Sequence, residues 1–229
     1  MSTLTLTDGS ESFAVTVLES IPRSTVVFFA VGAGGNPERH LPLLSALAES
    51  GCTVVAPHFE RLVSPSPSEG ELLLRARRLT LALDAVAPPG SAVAGVGHSI
   101  GAALLLALAG GQMWLGPGRR VDISADERLA RLVLLAPPTG FFQVGGALDS
   151  VRTPILAWAG SRDAITPPAH VEMLARAVRG RLPVDVRVTE GAGHFSFMDV
   201  PPPGSVEPLP DKEAFLDELA QEIRNFLMG

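Results

Sequence analysis

Three short runs of this chain carry almost no polar side chain: Val26–Val31, Cys52–Ala56 and Ala92–Val96. A strand that alternates apolar and polar residues can leave one face in water. A run that is apolar throughout has to be covered on both faces. Leu132–Leu135 and Ile155–Ala159 repeat the pattern, and Val184–Val188 reads as a last strand. Between these runs lie segments with helical spacing. Short apolar strands separated by helices imply an α/β fold: a mostly parallel sheet with helices on both faces. Thr3–Leu6 and Phe13–Leu18 alternate apolar and polar and add two half-exposed strands, for about eight in all.

The helices carry their own boundary signals. Asn36-Pro37-Glu38 offers a cap, a proline at the first helical position and an acid in the first turn. Leu41, Leu44, Leu47 and Ala48 then share a face, and Gly51 ends that helix. Ser68 opens a second helix, with Leu72, Ala76, Leu79, Leu83 and Val86 on its apolar face and Pro88-Pro89 as its stop. Ile100–Leu108 reads as a wholly apolar helix. Pro167-Pro168 starts another, running to about Val178 and ended by Gly180. Asp211 opens a last amphipathic helix with Phe215, Leu219, Ile223 and Phe226 on one face. Val63–Gly70 and Val200–Pro210 are rich in turn formers and connect elements rather than domains. One domain over residues 1–229 is expected.

Composition closes several routes. The single cysteine, Cys52, permits neither an internal disulfide nor a cysteine-based zinc site, and no metal or cofactor constellation is found. A formal charge of −6, with Arg75, Arg77 and Arg78 the densest basic cluster, argues against a nucleic-acid partner. Ala85–Gly118 has no formal charge, but prolines and glycines interrupt it. Its unbroken apolar run, Ala102–Ala109, is far below the ~20 residues a bilayer needs, so no membrane partner is expected. Met1–Asp8 has neither the charge nor the apolar core of a secretory leader, which points to the cytoplasm. Gly32-Ala33-Gly34-Gly35 follows a strand as a dinucleotide loop would, but Asn36-Pro37 leaves G-x-G-x-x-G unfinished.

Gly97-His98-Ser99-Ile100-Gly101 fits G-x-S-x-G, set between an apolar strand and an apolar helix. A serine thrust out on so sharp a turn takes strained backbone angles, and its neighbours two positions away must be tiny. Its hydroxyl would sit at the positive end of a helix, with the Ile100 N–H free for an oxyanion. Serine needs a base, and the base needs an orienting group. Of the five histidines, His194 falls in a glycine-rich loop just past the last strand, on the sheet edge that carries Ser99. His98 adjoins the serine and points elsewhere; His40 and His170 fall in helices, and His58 follows a strand. Asp163 follows a strand at the same edge. Asp149 and Asp185 are worse placed, and Glu190, four residues before His194, is the reserve.

With these residues quoted, the chain resembles the α/β-hydrolase superfamily, and in size and layout its small, lidless dienelactone-hydrolase-like members. Gly97–Gly101 matches the nucleophile elbow, Gly160-Ser-Arg-Asp163-x-x-x-Pro167 the acid turn, and Gly191-Ala-Gly-His194-Phe the histidine loop. The resemblance implies a carboxylesterase-like serine hydrolase acting on small-molecule esters, with Ser99, Asp163 and His194 as its triad. It also implies a second oxyanion donor in Val31–Gly35, at Ala33 with Gly34 as the alternative, where many members carry His-Gly. Gly32 and Gly34 then border the substrate. Dienelactone hydrolases proper use a cysteine; here the position is Ser99, which argues against dienelactone itself. Pro137–Thr153 is too short for a helical lid. Phe59, Phe141, Phe142, Phe195 and Met198 are candidate pocket walls, Phe59 and Phe142 foremost. Thioesterase or amidase activity would use the same residues, and a non-catalytic binding module is the competing class.

Overall fold

The computed structural model describes residues 1–20, 25–64, 66–87 and 92–229. Eight strands make one sheet: β1 (Ser2–Asp8), β2 (Glu11–Leu18), β3 (Thr25–Ala30), β4 (Cys52–Pro57), β5 (Val93–His98), β6 (Leu129–Leu135), β7 (Ile155–Gly160) and β8 (Val184–Thr189). Their order across the sheet is β1-β2-β4-β3-β5-β6-β7-β8. β1 and β2 pair antiparallel, β2 pairs antiparallel with β4, and every other pair is parallel. β4, β5 and β7 are buried along their whole length, as their continuous apolar sequence requires. β8 has no buried position because it is an edge strand, with Asp185 and Val188 turned to solvent.

The five helices are α1 (Leu41–Glu49), α2 (Glu69–Val86), α3 (Ile100–Leu108), α4 (Ala169–Ala177) and α5 (Lys212–Met228). Leu72, Leu79, Leu104, Leu105, Val171 and Leu174, from α2, α3 and α4, pack on one face of the sheet. Leu44 and Leu47 of α1, with Phe215, Leu219 and Ile223 of α5, pack on the other. Ser68 caps α2 through a reciprocal pair: its hydroxyl accepts the Glu71 N–H while the Glu71 carboxylate accepts the Ser68 N–H. None of these helices is long and apolar enough to cross a membrane.

The structure corrects some boundaries. The turn opened by Asn36 is a 3-10 turn over Pro37–His40, and α1 starts only at Leu41. Pro42 has no N–H to return to Glu38, so the Glu38 carbonyl accepts from Leu41 instead and the turn tightens. On α5 the fourth buried position is Leu227; Phe226 is half-buried beneath the Arg131 guanidinium. A small hairpin, Met113–Trp114 with Arg120–Val121, was not anticipated. Pro65 and the Pro88-Pro89 stop lie outside the described residues.

Candidate active site

The chain turns from β5 into α3 at Ser99, whose φ of 55° and ψ of −128° lie where few non-glycine residues go. The turn is that sharp because nothing separates strand from helix. A Cβ on Gly101 would fall on the Ala30 carbonyl and within 2.6 Å of the Val31 oxygen; one on Gly97 would stand 2.7 Å from the Ala102 nitrogen. The Ser99 N–H is tied to the end of β6 through the Leu135 carbonyl, at 2.9 Å. Its hydroxyl therefore faces out at the amino end of α3.

The structure brings the three residues into one hydrogen-bonded row. Ser99 Oγ lies 2.9 Å from His194 Nε2, and His194 Nδ1 lies 2.8 Å from Asp163 Oδ2. Asp163 is nearly fully buried, yet its other oxygen accepts the N–H groups of Ile165 and Thr166, at 2.8 and 2.7 Å. Burial works against its charge. The hydrogen bond and charge of His194, with the N–H and hydroxyl of Thr166, outweigh that and hold the carboxyl down at about 2. An ionised carboxylate on Nδ1 fixes the tautomer that leaves the Nε2 lone pair toward Ser99. Glu190 is exposed and makes no hydrogen bond to His194 among the described residues.

Four supports were not read from the sequence as such. Thr166 Oγ1 lies 2.7 Å from Asp163 Oδ2, 3.0 Å from His194 Nδ1 and 3.1 Å from the Ala136 carbonyl, and so braces the Asp163–His194 pair. Asp163-x-x-Thr166 before a helix was a legible turn signal for it. His98 donates its Nε2–H to the His194 carbonyl at 3.0 Å. It stacks between His40 and His194, with ring centroids 5.3 and 5.0 Å away. Burial lowers His40 to about 3 and His98 well below its ordinary value, so both are neutral at pH 7. The third support is Val200–Pro210. Glu207 accepts the Ser196 hydroxyl, which in turn accepts the Gly193 N–H beside His194, and Pro208 packs on Gly193. The fourth is Arg75, which bonds to the carbonyls of Gly32 and Ala33.

Gly32 sits directly on Ser99: a Cβ there would be 3.3 Å from Ser99 Cβ. Ala33 and Gly34 are exposed, and Gly35 closes the turn with φ of 77° and an N–H to the Gly32 carbonyl. The loop after β4 is stitched beside it, the Phe59 N–H to Gly35 and the Leu62 N–H to Ala33. Phe59 is half-buried there, and Phe195 stands edge-on to His194. Phe142 is a correction. It is 2% exposed and lies against Gly111, beyond the carboxyl end of the helix whose amino end carries Ser99. The 3-10 turn over Thr139–Phe142 swings it into the core, so it forms no wall of the site. Met198 is likewise buried. No lid is built between β6 and β7.

No protein-family model and no curated protein sequence matches the chain. Solved structures do. An esterase from Pyrococcus furiosus is similar over 99% of this chain and 89% of its own, with 16% identity and a TM-score of 0.69. Esterase 2 of Thermogutta terrifontis, phosphorylated by paraoxon, matches over 97% and 92%, with 17% identity and a TM-score of 0.63. A carboxylesterase from Lactobacillus plantarum matches over 97% and 95%, with 16% identity and a TM-score of 0.62. The chain has the α/β-hydrolase fold.

Proposed function

We propose that the protein is a serine hydrolase cleaving carboxylic esters of small molecules through an acyl-enzyme on Ser99. The observation that carries the reading is the row Ser99 Oγ, His194 Nε2, His194 Nδ1, Asp163 Oδ2, with both links at hydrogen-bond distance. The strained serine at the start of α3 supports it, because such strain gathers at functional sites and this turn presents the hydroxyl to His194. The esterases of like fold support it further. The small, lidless layout is in keeping with the dienelactone-hydrolase-like resemblance of the sequence.

His194 takes the Ser99 proton as Ser99 attacks the ester carbonyl. The N–H groups of Ile100 and Ala33, with Gly34 beside it, hold the oxyanion. His194 then protonates the leaving alcohol, water attacks the acyl-enzyme, and the acid leaves. Asp163 holds the tautomer and balances the imidazolium in both steps. Phe59, Gly32 and Gly34 border the bound ester. Labelling by a fluorophosphonate, wild type beside Ser99→Ala, tests this. Labelling confined to the wild type is expected. A folded wild type that takes no label would overturn it in favour of a binding module.

A further inference from the structure

Arg75 is 2% exposed and has no carboxylate within ion-pair distance among the described residues. Its N–H groups meet three backbone carbonyls instead: Nη1 to Gly32 at 2.9 Å, and Nη2 to Glu60 at 2.7 Å and Ala33 at 3.2 Å. Its guanidinium also lies over the Phe59 ring, 4.9 Å from the centroid. A buried cation is destabilising unless well met; Leu72, Ala76 and Leu79 beside it on α2 are apolar, and the other buried arginine of the helix, Arg78, has Asp8 and Glu11 as ion-pair partners where Arg75 has none among the described residues. An apolar residue at position 75 would serve packing better. The arginine answers to something else.

Two of its three acceptors are consecutive peptides of the loop beside Ser99. In a planar trans peptide the N–H points opposite to the C=O. With the Gly32 carbonyl turned to Arg75, the Ala33 N–H faces away from it. With the Ala33 carbonyl turned to Arg75 and to the Leu62 N–H, the Gly34 N–H faces away too. Neither N–H bonds to another described residue, and both residues are open to solvent. Glycine at 32, 34 and 35 leaves these peptides free to rotate unless something grips them.

We infer that Arg75 is a positioning residue: it grips the Gly32 and Ala33 carbonyls so that the Ala33 and Gly34 N–H groups stand ready for the oxyanion. This rests on the serine-hydrolase reading. Without the guanidinium, the Gly32 carbonyl keeps only the Gly35 N–H, at 3.2 Å, and the Gly32–Ala33 peptide can rotate and aim its carbonyl dipole at the developing negative charge.

Arg75→Met and Arg75→Lys, beside wild type, test it with p-nitrophenyl acetate as substrate, phenylboronic acid as a tetrahedral inhibitor, and fluorophosphonate to count active Ser99. Losing one oxyanion donor lowers kcat roughly 100- to 1000-fold, so Arg75→Met should lose about 100-fold or more per labelled site. The inhibition constant of the boronic acid should rise in parallel, while KM moves by less than about threefold. Arg75→Lys keeps the charge but not the fork, and should fall between. A merely structural role lowers the number of active sites and leaves the inhibition constant alone. A folded variant with kcat and inhibition constant unchanged, or with kcat reduced and inhibition constant unmoved, overturns the inference. If Arg75→Met does not fold, Arg75→Lys decides. A wild type that neither labels nor hydrolyses refutes the serine-hydrolase reading first, and the role of Arg75 with it.

Discussion

Replacing Ser99 by glycine should abolish turnover and leave the protein more stable than replacing it by alanine. Both variants lose the hydroxyl and its bond to His194 Nε2, so that loss cancels between them. They differ in Cβ. At φ 55° and ψ −128° a Cβ crowds its own backbone, a strain of about 1–3 kcal/mol that glycine does not feel. Against this, glycine makes the unfolded chain more disordered, by about 0.5–1 kcal/mol. Ser99 is half-buried, so the Cβ also gives up about half of a methylene's burial, roughly 0.4 kcal/mol. From the middle of each range the balance favours glycine by about 1 kcal/mol, or roughly 2–4 °C in Tm for a chain of this size. Calorimetry and urea unfolding at pH 7 read it directly. Ser99→Gly melting at or below Ser99→Ala would refute the reasoning, since the elbow would then hold no strain worth releasing.

Asp163→Asn should cut kcat by about 10⁴-fold, by favouring the wrong imidazole tautomer, with Tm little moved; activity within tenfold of wild type would take the acid role away from Asp163. Gly101→Ala, whose Cβ would strike the Ala30 carbonyl, should destabilise by about 3 kcal/mol or more. Gly34→Ala, where nothing lies within 4 Å, should change urea stability by less than about 0.5 kcal/mol. Stability should also fall with acid earlier than carboxylates alone would make it. His40 and His98 have folded values held below the ordinary 6.5, so the unfolded chain binds more protons and stability rises with pH through this region. Below about pH 6 the slope from the two is ~2.7 kcal/mol per unit, and His40→Phe should roughly halve it. An unchanged slope in that variant would show that His40 is already charged in the folded state.

The sheet and the catalytic candidates were legible because parallel sheets impose strong local rules. Cys52–Ala56 and Ile155–Ala159 can only be covered strands. Ser99, Asp163 and His194 each lie at the carboxyl end of one, where loops of a parallel sheet converge. Gly97 and Gly101 marked the elbow because the close approach leaves a spacing in the sequence. Side-chain direction after the loop turns was not legible. Phe142 follows β6 on the active edge just as Phe59 follows β4, yet Pro137-Pro138 and the 3-10 turn send it toward Gly111. Arg75 sits three residues from Leu72 and four from Leu79, which places it on the buried face by period alone. Its charge groups it with Arg77 and Arg78 in the sequence, and only its period separates it from them. Glu207 and Pro208 act on His194 only through contacts that no local pattern announces.

Each candidate catalytic group is held by a buried polar group that does no chemistry of its own. His98 holds the main chain of His194, Thr166 braces Asp163, the Glu207–Ser196 pair fixes Gly193, and Arg75 grips the loop opposite Ser99. His98 and Arg75 carry a desolvation penalty that leucine or phenylalanine would not. These penalties, and the strain at Ser99, gather at the carboxyl edge of one sheet, while the cores beneath α2, α3 and α5 are filled mainly with aliphatic and aromatic side chains. A chain selected for stability alone would spread its defects or remove them. Their concentration around the Ser99 hydroxyl is what a fixed arrangement of donors and acceptors requires, because a catalytic site that reorganises during reaction forfeits its electrostatic advantage.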